Sequence, residues 1–208
     1  MTDTPPSSTR RARCERCGLP ARTCVCALVP RVDNMVEVLV LQHPDEAGEA
    51  KNSARLLRLG LVRCRAVVGE FFEPAALLAL LDGDVSGSAL LYPADTAAGT
   101  GLTQIFAPPA PPARLVVLDG TWRKSLRMLH ANPLLQSLPR WVIEPPAPAR
   151  YAALRKARRP AQLSTLEAAC AALARIEDAP GRYAPLLAAF DRFVADGASR
   201  ASRGRGPE

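Results

Sequence analysis

Leu115-Val116-Val117-Leu118-Asp119-Gly120-Thr121-Trp122-Arg123-Lys124-Ser125-Leu126-Arg127-Met128-Leu129-His130 is the stretch on which the fold turns. Four apolar residues in a row suit a strand buried on both faces. Asp119, Gly120 and Thr121 then break the run, and Trp122 to Ala131 has helical spacing up to the stop before Pro133. On that helix Trp122, Leu126 and Leu129 form an apolar stripe, while Arg123, Arg127 and His130 share another face. In open α/β sheets ligands bind beyond the carboxyl ends of the strands, which is where Asp119 falls. Gly120 lets a backbone approach a ligand closely. The plainer alternative, that Asp119 only caps the helix and the arginines form a solvated face, fits the spacing equally well.

The same strand-then-helix unit recurs on either side. Val36 to Leu41 and Cys64 to Val68 are strand candidates, as are Ala89 to Tyr92 and the brief Trp141 to Ile143. Ser53 to Leu61, Pro74 to Leu81, a segment opening at Ser164 and another over Pro185 to Val194 have helical spacing. Ser164 and Glu167 have the S-x-x-E spacing of a capping box. Short, nearly all-apolar strands alternating with helices predict an α/β fold, a mostly parallel sheet with helices on both faces. Residues 1–12 read as a disordered basic N-terminus, 13–30 as a cysteine module, 31–196 as the α/β domain and 197–208 as a disordered basic tail.

The chain has 208 residues, is 48% hydrophobic and 23% charged, and carries a net charge of +7. That composition suits a globular protein with a real core and favours polyanionic partners. Apolar stretches such as Ala75 to Leu81 are too short to span a bilayer, and the polar N-terminus lacks the apolar core of a secretory signal. No membrane association is expected, and cytoplasm is the expected compartment.

Cys14, Cys17, Cys24 and Cys26 are spaced C-x2-C-x6-C-x-C. Disulfides would be out of place in such a compartment, whereas paired short spacings let tight turns present four thiolates to one zinc ion. Four protein ligands leave no open position for water, so the zinc is expected to be structural. Cys64 and Cys170 fall on apolar elements and are expected in the core. Arg155-Lys156-Ala157-Arg158-Arg159 precedes the Ser164 helix start and suits phosphates, or is simply a solvated charge run. Gln42-His43-Pro44-Asp45 follows the first strand in place of a glycine-rich dinucleotide loop, and no G-x-x-x-x-G-K-[ST] occurs. His43 and His130 have no serine or cysteine arrangement suggesting a hydrolytic triad.

Together these residues resemble the DTW-domain family, the tRNA-uridine aminocarboxypropyltransferases. The resemblance runs from about Cys14 to Ile176. It is carried by the cysteine cluster, by His43-Pro44 with Asn52, Ser53 and Arg55, and by Leu91-Tyr92-Pro93. Asp119-Gly120-Thr121-Trp122 and Leu163-Ser164-Thr165-Leu166-Glu167-Ala168 complete it. Ala94 stands where many members carry a small hydroxyl residue.

The resemblance implies a SPOUT-like knotted fold that binds S-adenosyl-L-methionine in loops at the sheet edge. It implies transfer of the 3-amino-3-carboxypropyl group to a uridine ring nitrogen in tRNA, with release of methylthioadenosine. Asp119 is then the expected general base or nucleobase holder. Pro93, Leu118, Gly120, Thr121, Trp122, Leu163, Ser164 and Thr165 are expected around the cofactor. Arg123, Lys124, Arg155, Lys156, Arg158 and Arg159 are expected on RNA. Replacing Asp119 by alanine is expected to stop transfer while leaving the fold largely intact. The other readings are a SPOUT-like RNA methyltransferase, which releases S-adenosylhomocysteine, and a non-catalytic zinc-containing RNA-binding module.

Overall fold

The structure, a computed structural model, describes residues 12–93, 110–143 and 163–203. The cysteine-rich segment comes first, with one 3-10 turn at Ala21–Thr23. β1 (Glu37–Gln42) leads into the single-turn helix α1 (Pro44–Ala47) and then α2 (Ala54–Gly60). β2 (Cys64–Val68), α3 (Pro74–Leu80) and β3 (Ser88–Leu91) follow. β4 (Arg114–Asp119) feeds α4 (Trp122–Ala131), and α5 (Pro133–Ser137) precedes β5 (Arg140–Trp141). α6 (Thr165–Ile176) and α7 (Ala184–Arg203) complete the described chain.

The strands form one five-stranded sheet in the order β2-β1-β4-β3-β5, and every pairing is parallel. Period-two alternation divides the core between its faces. Val38, Val40, Leu115 and Val117 pack with Leu56 and Leu57 of α2, Leu166 and Leu173 of α6, and Leu186 and Phe190 of α7. Leu39, Leu41, Val116 and Leu118 pack on the opposite side with Leu77 of α3, Met128 and Leu129 of α4, and Leu135 of α5. Each fully buried leucine or valine contributes roughly 1.5–3 kcal/mol, so a charge at Val116 would break the centre of the sheet. Gly60 ends α2 where a Cβ would lie 2.6 Å from Leu186 Cδ1, so glycine lets α7 close over it.

Helix ends follow local chemistry. Ser164 Oγ accepts from Glu167 N–H (3.2 Å) and Glu167 Oε2 accepts from Ser164 N–H (2.8 Å), the capping box expected from the spacing. Thr121 caps α4 by accepting from Lys124 N–H at 3.4 Å, and Asn132 with Pro133 ends it.

Four expectations need correction. β2 is not buried on both faces: it is an edge strand, with Arg65, Ala66 and Val68 exposed. Its Cys64 is only partly buried, whereas Cys170 is in the core. The buried face of α4 is Ser125, Met128 and Leu129, and Trp122 points outward at 47% exposure. α7 continues through Gly197 to Arg203, into the stretch whose composition suggests a tail.

Candidate functional site

Among the described residues, two places carry chemistry-bearing side chains. The first is the cysteine cluster. Gly18, at φ +72°, makes the turn after Cys17 possible, and its N–H donates to Cys14 O at 2.7 Å. The sulfur atoms of Cys14, Cys17, Cys24 and Cys26 all lie within 4.8 Å of one another. Cys14 and Cys26 Sγ are 3.7 Å apart, as are Cys17 and Cys24. A tetrahedron with zinc–sulfur bonds of about 2.3 Å has edges of about 3.8 Å, so these four residues could hold a metal ion. Backbone N–H groups, Cys17's above all, bring the Cys14 thiol down to about 6. Burial and the neighbouring sulfurs push Cys26 up to about 12. A divalent cation removes that conflict by favouring the thiolate at every position. The segment is not a separate appendage: Cys17, Leu19, Val25 and Val29 share the core with β1, α2 and α7.

The second place is the carboxyl edge of the sheet. The chain leaves β1 toward β2 on one side and leaves β4 toward β5 on the other, so the crevice between β1 and β4 is the topological switch point. Gln42 and Asp119 are paired there as the last residues of the two strands. Asp119 is 4% exposed. Its Oδ2 accepts from Gln42 Nε2 (2.7 Å) and Asn52 Nδ2 (2.6 Å), and its Oδ1 accepts from Thr165 Oγ1 (2.7 Å). A carboxylate has about four in-plane acceptor sites, so among the described residues these donors leave one, on Oδ1. The contacts join β1, the loop before α2, β4 and the first turn of α6 at one side chain.

The surroundings fix this geometry. Asn52 Oδ1 accepts from Arg55 N–H at 3.0 Å, and the Arg55 guanidinium donates to the carbonyls of Glu49, Ala50 and Ala47, closing the loop that carries Asn52. Burial lowers the Arg55 pKa, and the nearby charges of Cys17 and Asp119 work against that shift. His43 N–H donates to Asp119 O at 2.9 Å. Asp45 N–H donates to His43 Nδ1 (3.2 Å), which leaves Nε2–H to donate to Glu70 Oε2 (3.1 Å). Arg127 Nε meets Glu70 Oε1 at 2.7 Å. Both nitrogens of His43 are thus occupied, and the residue fastens α1 to the loop after β2.

The DTW domain profile matches residues 11–197. The chain belongs to the DTW domain family. It is 31% identical over 175 residues to tRNA-uridine aminocarboxypropyltransferase 2 of Mus musculus, covering 81% of this chain and 57% of that protein. It is 32% identical over 179 residues to the Drosophila melanogaster protein of the same name, covering 82% and 69%. tRNA-uridine aminocarboxypropyltransferase A of Arabidopsis thaliana is 26% identical over 152 residues, covering 64% and 55%. The chain therefore spans little more than half the length of the mouse and Arabidopsis relatives. No solved structure matches.

In this DTW domain the motif segments other than the cysteine cluster meet at the carboxyl edge. Leu118 is buried beside Asp119, Pro93 and Thr121 are exposed at the ends of β3 and β4, and Leu163 and Ser164 lead into Thr165 at the same edge. A Cβ on Gly120 would press on Lys124 Cβ at 3.1 Å, so glycine there makes room for the first turn of α4. Trp122 stacks on Tyr92, with centroids 5.3 Å apart and planes at 15°. Arg123 is exposed, but Lys124 Nζ is paired with Glu46 Oε1 (2.9 Å) and Asp45 Oδ2 (3.3 Å), which raises its pKa. Arg155, Lys156, Arg158 and Arg159 lie outside the described residues. Sequence reasoning gave no role to Gln42 or Glu70. Gln42 had one signal, a polar residue ending an apolar strand at the ligand edge.

Proposed function

We propose that this DTW domain transfers the 3-amino-3-carboxypropyl group of S-adenosyl-L-methionine to a ring nitrogen of a uridine in tRNA, releasing methylthioadenosine. The names of the Mus musculus and Drosophila melanogaster relatives support the reaction class. The observation that carries the reading is the Asp119 carboxylate, fixed at the switch point by Gln42, Asn52 and Thr165 with one acceptor site left. A uracil imide N–H donating to that site gives up its proton to Asp119 as the nitrogen–carbon bond forms. The sulfur–carbon bond breaks in the same displacement, and the sulfonium leaves as a neutral thioether. All three carbons on a sulfonium are activated, so the site selects the aminocarboxypropyl carbon by placing it in line with the nitrogen.

Pro93, Leu118, Gly120, Thr121 and the Leu163 to Thr165 segment form the proposed wall around S-adenosyl-L-methionine. A SPOUT-like knotted chain path and a cytoplasmic location belong to the same reading. Structural zinc on the four cysteines braces the fold, and Arg123 with the basic run Arg155 to Arg159 holds RNA phosphates. No helix among the described residues is long and apolar enough to cross a membrane.

The deciding experiment incubates the protein with unmodified tRNA and S-adenosyl-L-methionine, then measures nucleosides and co-product by mass spectrometry. An aminocarboxypropyl uridine with stoichiometric methylthioadenosine is expected. A methylated nucleoside with S-adenosylhomocysteine overturns the reading in favour of a methyltransferase, and unchanged tRNA leaves only an RNA-binding role.

A further inference from the structure

Trp122 occupies the first position of α4, three residues after Asp119, and yet 47% of it is exposed. Large apolar side chains are usually left in water only singly or at interaction sites. This one is held in place. Its ring lies nearly parallel to Tyr92, 5.3 Å away at 15°, and Tyr92 is 4% exposed with the Arg140 guanidinium 5.5 Å over its ring. The indole therefore rests on a buried partner while about half of it stays open to solvent. A flat aromatic already fixed in place loses little freedom on binding another ring.

We propose that the open face of Trp122, which the family resemblance assigns to the cofactor wall, instead stacks a nucleobase of the RNA substrate beside Asp119. This rests on the reading of the chain as an RNA-modifying enzyme. Stacking on aromatic side chains is the general way proteins hold splayed-out RNA bases, and the chain's charge of +7 favours the polyanion to which such a base is attached. The adenine of a small cofactor is the other source of a flat heteroaromatic ring. Small-molecule pockets enclose roughly 70–90% of their ligand, which a half-open platform cannot do alone. A base tethered to a polymer lying on the surface needs only one face covered.

The test compares wild type with Trp122→Ala and Trp122→Phe. Binding of an unmodified tRNA transcript is measured at fixed ionic strength, and binding of S-adenosyl-L-methionine is measured separately by calorimetry. Trp122→Ala is expected to weaken RNA binding about tenfold to a hundredfold, Trp122→Phe to stay within about threefold of wild type, and cofactor affinity to hold in both. RNA should also quench wild-type tryptophan fluorescence, with the quench lost in Trp122→Phe. Unchanged RNA affinity in Trp122→Ala, or lost cofactor affinity with RNA binding intact, overturns the proposal. Because binding is read without turnover, a wild type that binds RNA but modifies nothing refutes the reaction and leaves the stacking result standing.

Discussion

Replacing Asp119 separates holding the site together from moving a proton, because the carboxylate does both in the proposed enzyme. Asp119→Ala removes the acceptor for Gln42, Asn52 and Thr165 at a position 4% exposed. The Thr165 hydroxyl can rotate toward another partner, but the two amide donors are left facing a hole. A buried unsatisfied donor costs about 1–3 kcal/mol; Asn52 is buried and bears that cost, and half-buried Gln42 adds up to about 1 kcal/mol, so the loss is about 1–4 kcal/mol. At roughly 2–4 °C per kcal/mol for a domain of this size, the melting temperature should fall by about 2–16 °C. The expectation that alanine leaves the fold largely intact is thereby withdrawn. Asp119→Asn is the sharper tool. Its amide oxygen can accept from Gln42 and Asn52 while its NH2 donates to a rotated Thr165 hydroxyl. Three charge-assisted bonds become neutral ones, the Thr165 bond with its direction reversed, at a cost of about 3 kcal/mol. Thermal unfolding and single-turnover transfer on the same preparations form the assay. Asp119→Asn should remain folded and lose transfer by at least about a hundredfold, the lower end of a general-base contribution. Wild-type turnover in Asp119→Asn refutes the proton-transfer role, and a wild-type melting temperature in Asp119→Ala refutes the network.

Removing metal with a strong chelator should release one zinc per chain and lower the melting temperature; elemental analysis and a melt read both. Ser164→Ala removes half of the α6 capping box and should cost about 1 kcal/mol, a drop of roughly 2–4 °C by calorimetry. Lys124 has its pKa raised by Glu46 and then Asp45. Its pairing therefore stabilises the fold below the ordinary lysine range and is lost as pH rises through the raised value. Lys124→Met should give a flatter alkaline limb in a pH series of melts, by less than about 1 kcal/mol for a partly exposed pair. Neutralising Arg158 and Arg159 together should weaken tRNA binding and reduce the slope of log affinity against log salt by roughly one unit for each phosphate no longer neutralised.

The sheet was legible because burial on both faces leaves uninterrupted apolar runs: the β1 and β4 segments read as strands within a residue of their ends. The capping box was legible because it is local. α1 and α5 were missed, each being a single turn after a proline with no periodicity to detect. β2 misled because its apolar residues look like those of a central strand, and only the strand order shows that it is an edge. Trp122 misled because helical spacing gives each residue a direction but not what stands opposite. The site itself shows the deeper limit. The spacing placed Asp119 at a ligand edge, but its partners Gln42 and Asn52 lie 77 and 67 residues away in sequence. Hydrogen bonds of that separation leave no local pattern.

One short helix explains why the candidate metal centre and the Asp119 edge belong to the same domain. In the loop just before α2, Asn52 donates to Asp119, and Arg55 in the first turn of the helix ties down that loop. In its body, Leu56 and Leu57 share a core with Cys17, Leu19 and Val25, and near its end Arg58 donates to Arg16 O at 3.0 Å. The cysteine segment thus shares its core with the helix that follows Asn52. In the proposed zinc-bound state a cation holds all four sulfurs as thiolates, so the metal fixes the shape of the segment and the segment keeps its packing with α2. In the proposed enzyme, a structural ion at the cysteines therefore acts on Asp119 through the seven residues of α2. The chelation and Asp119 experiments accordingly probe one assembly, and their effects on stability should be less than additive.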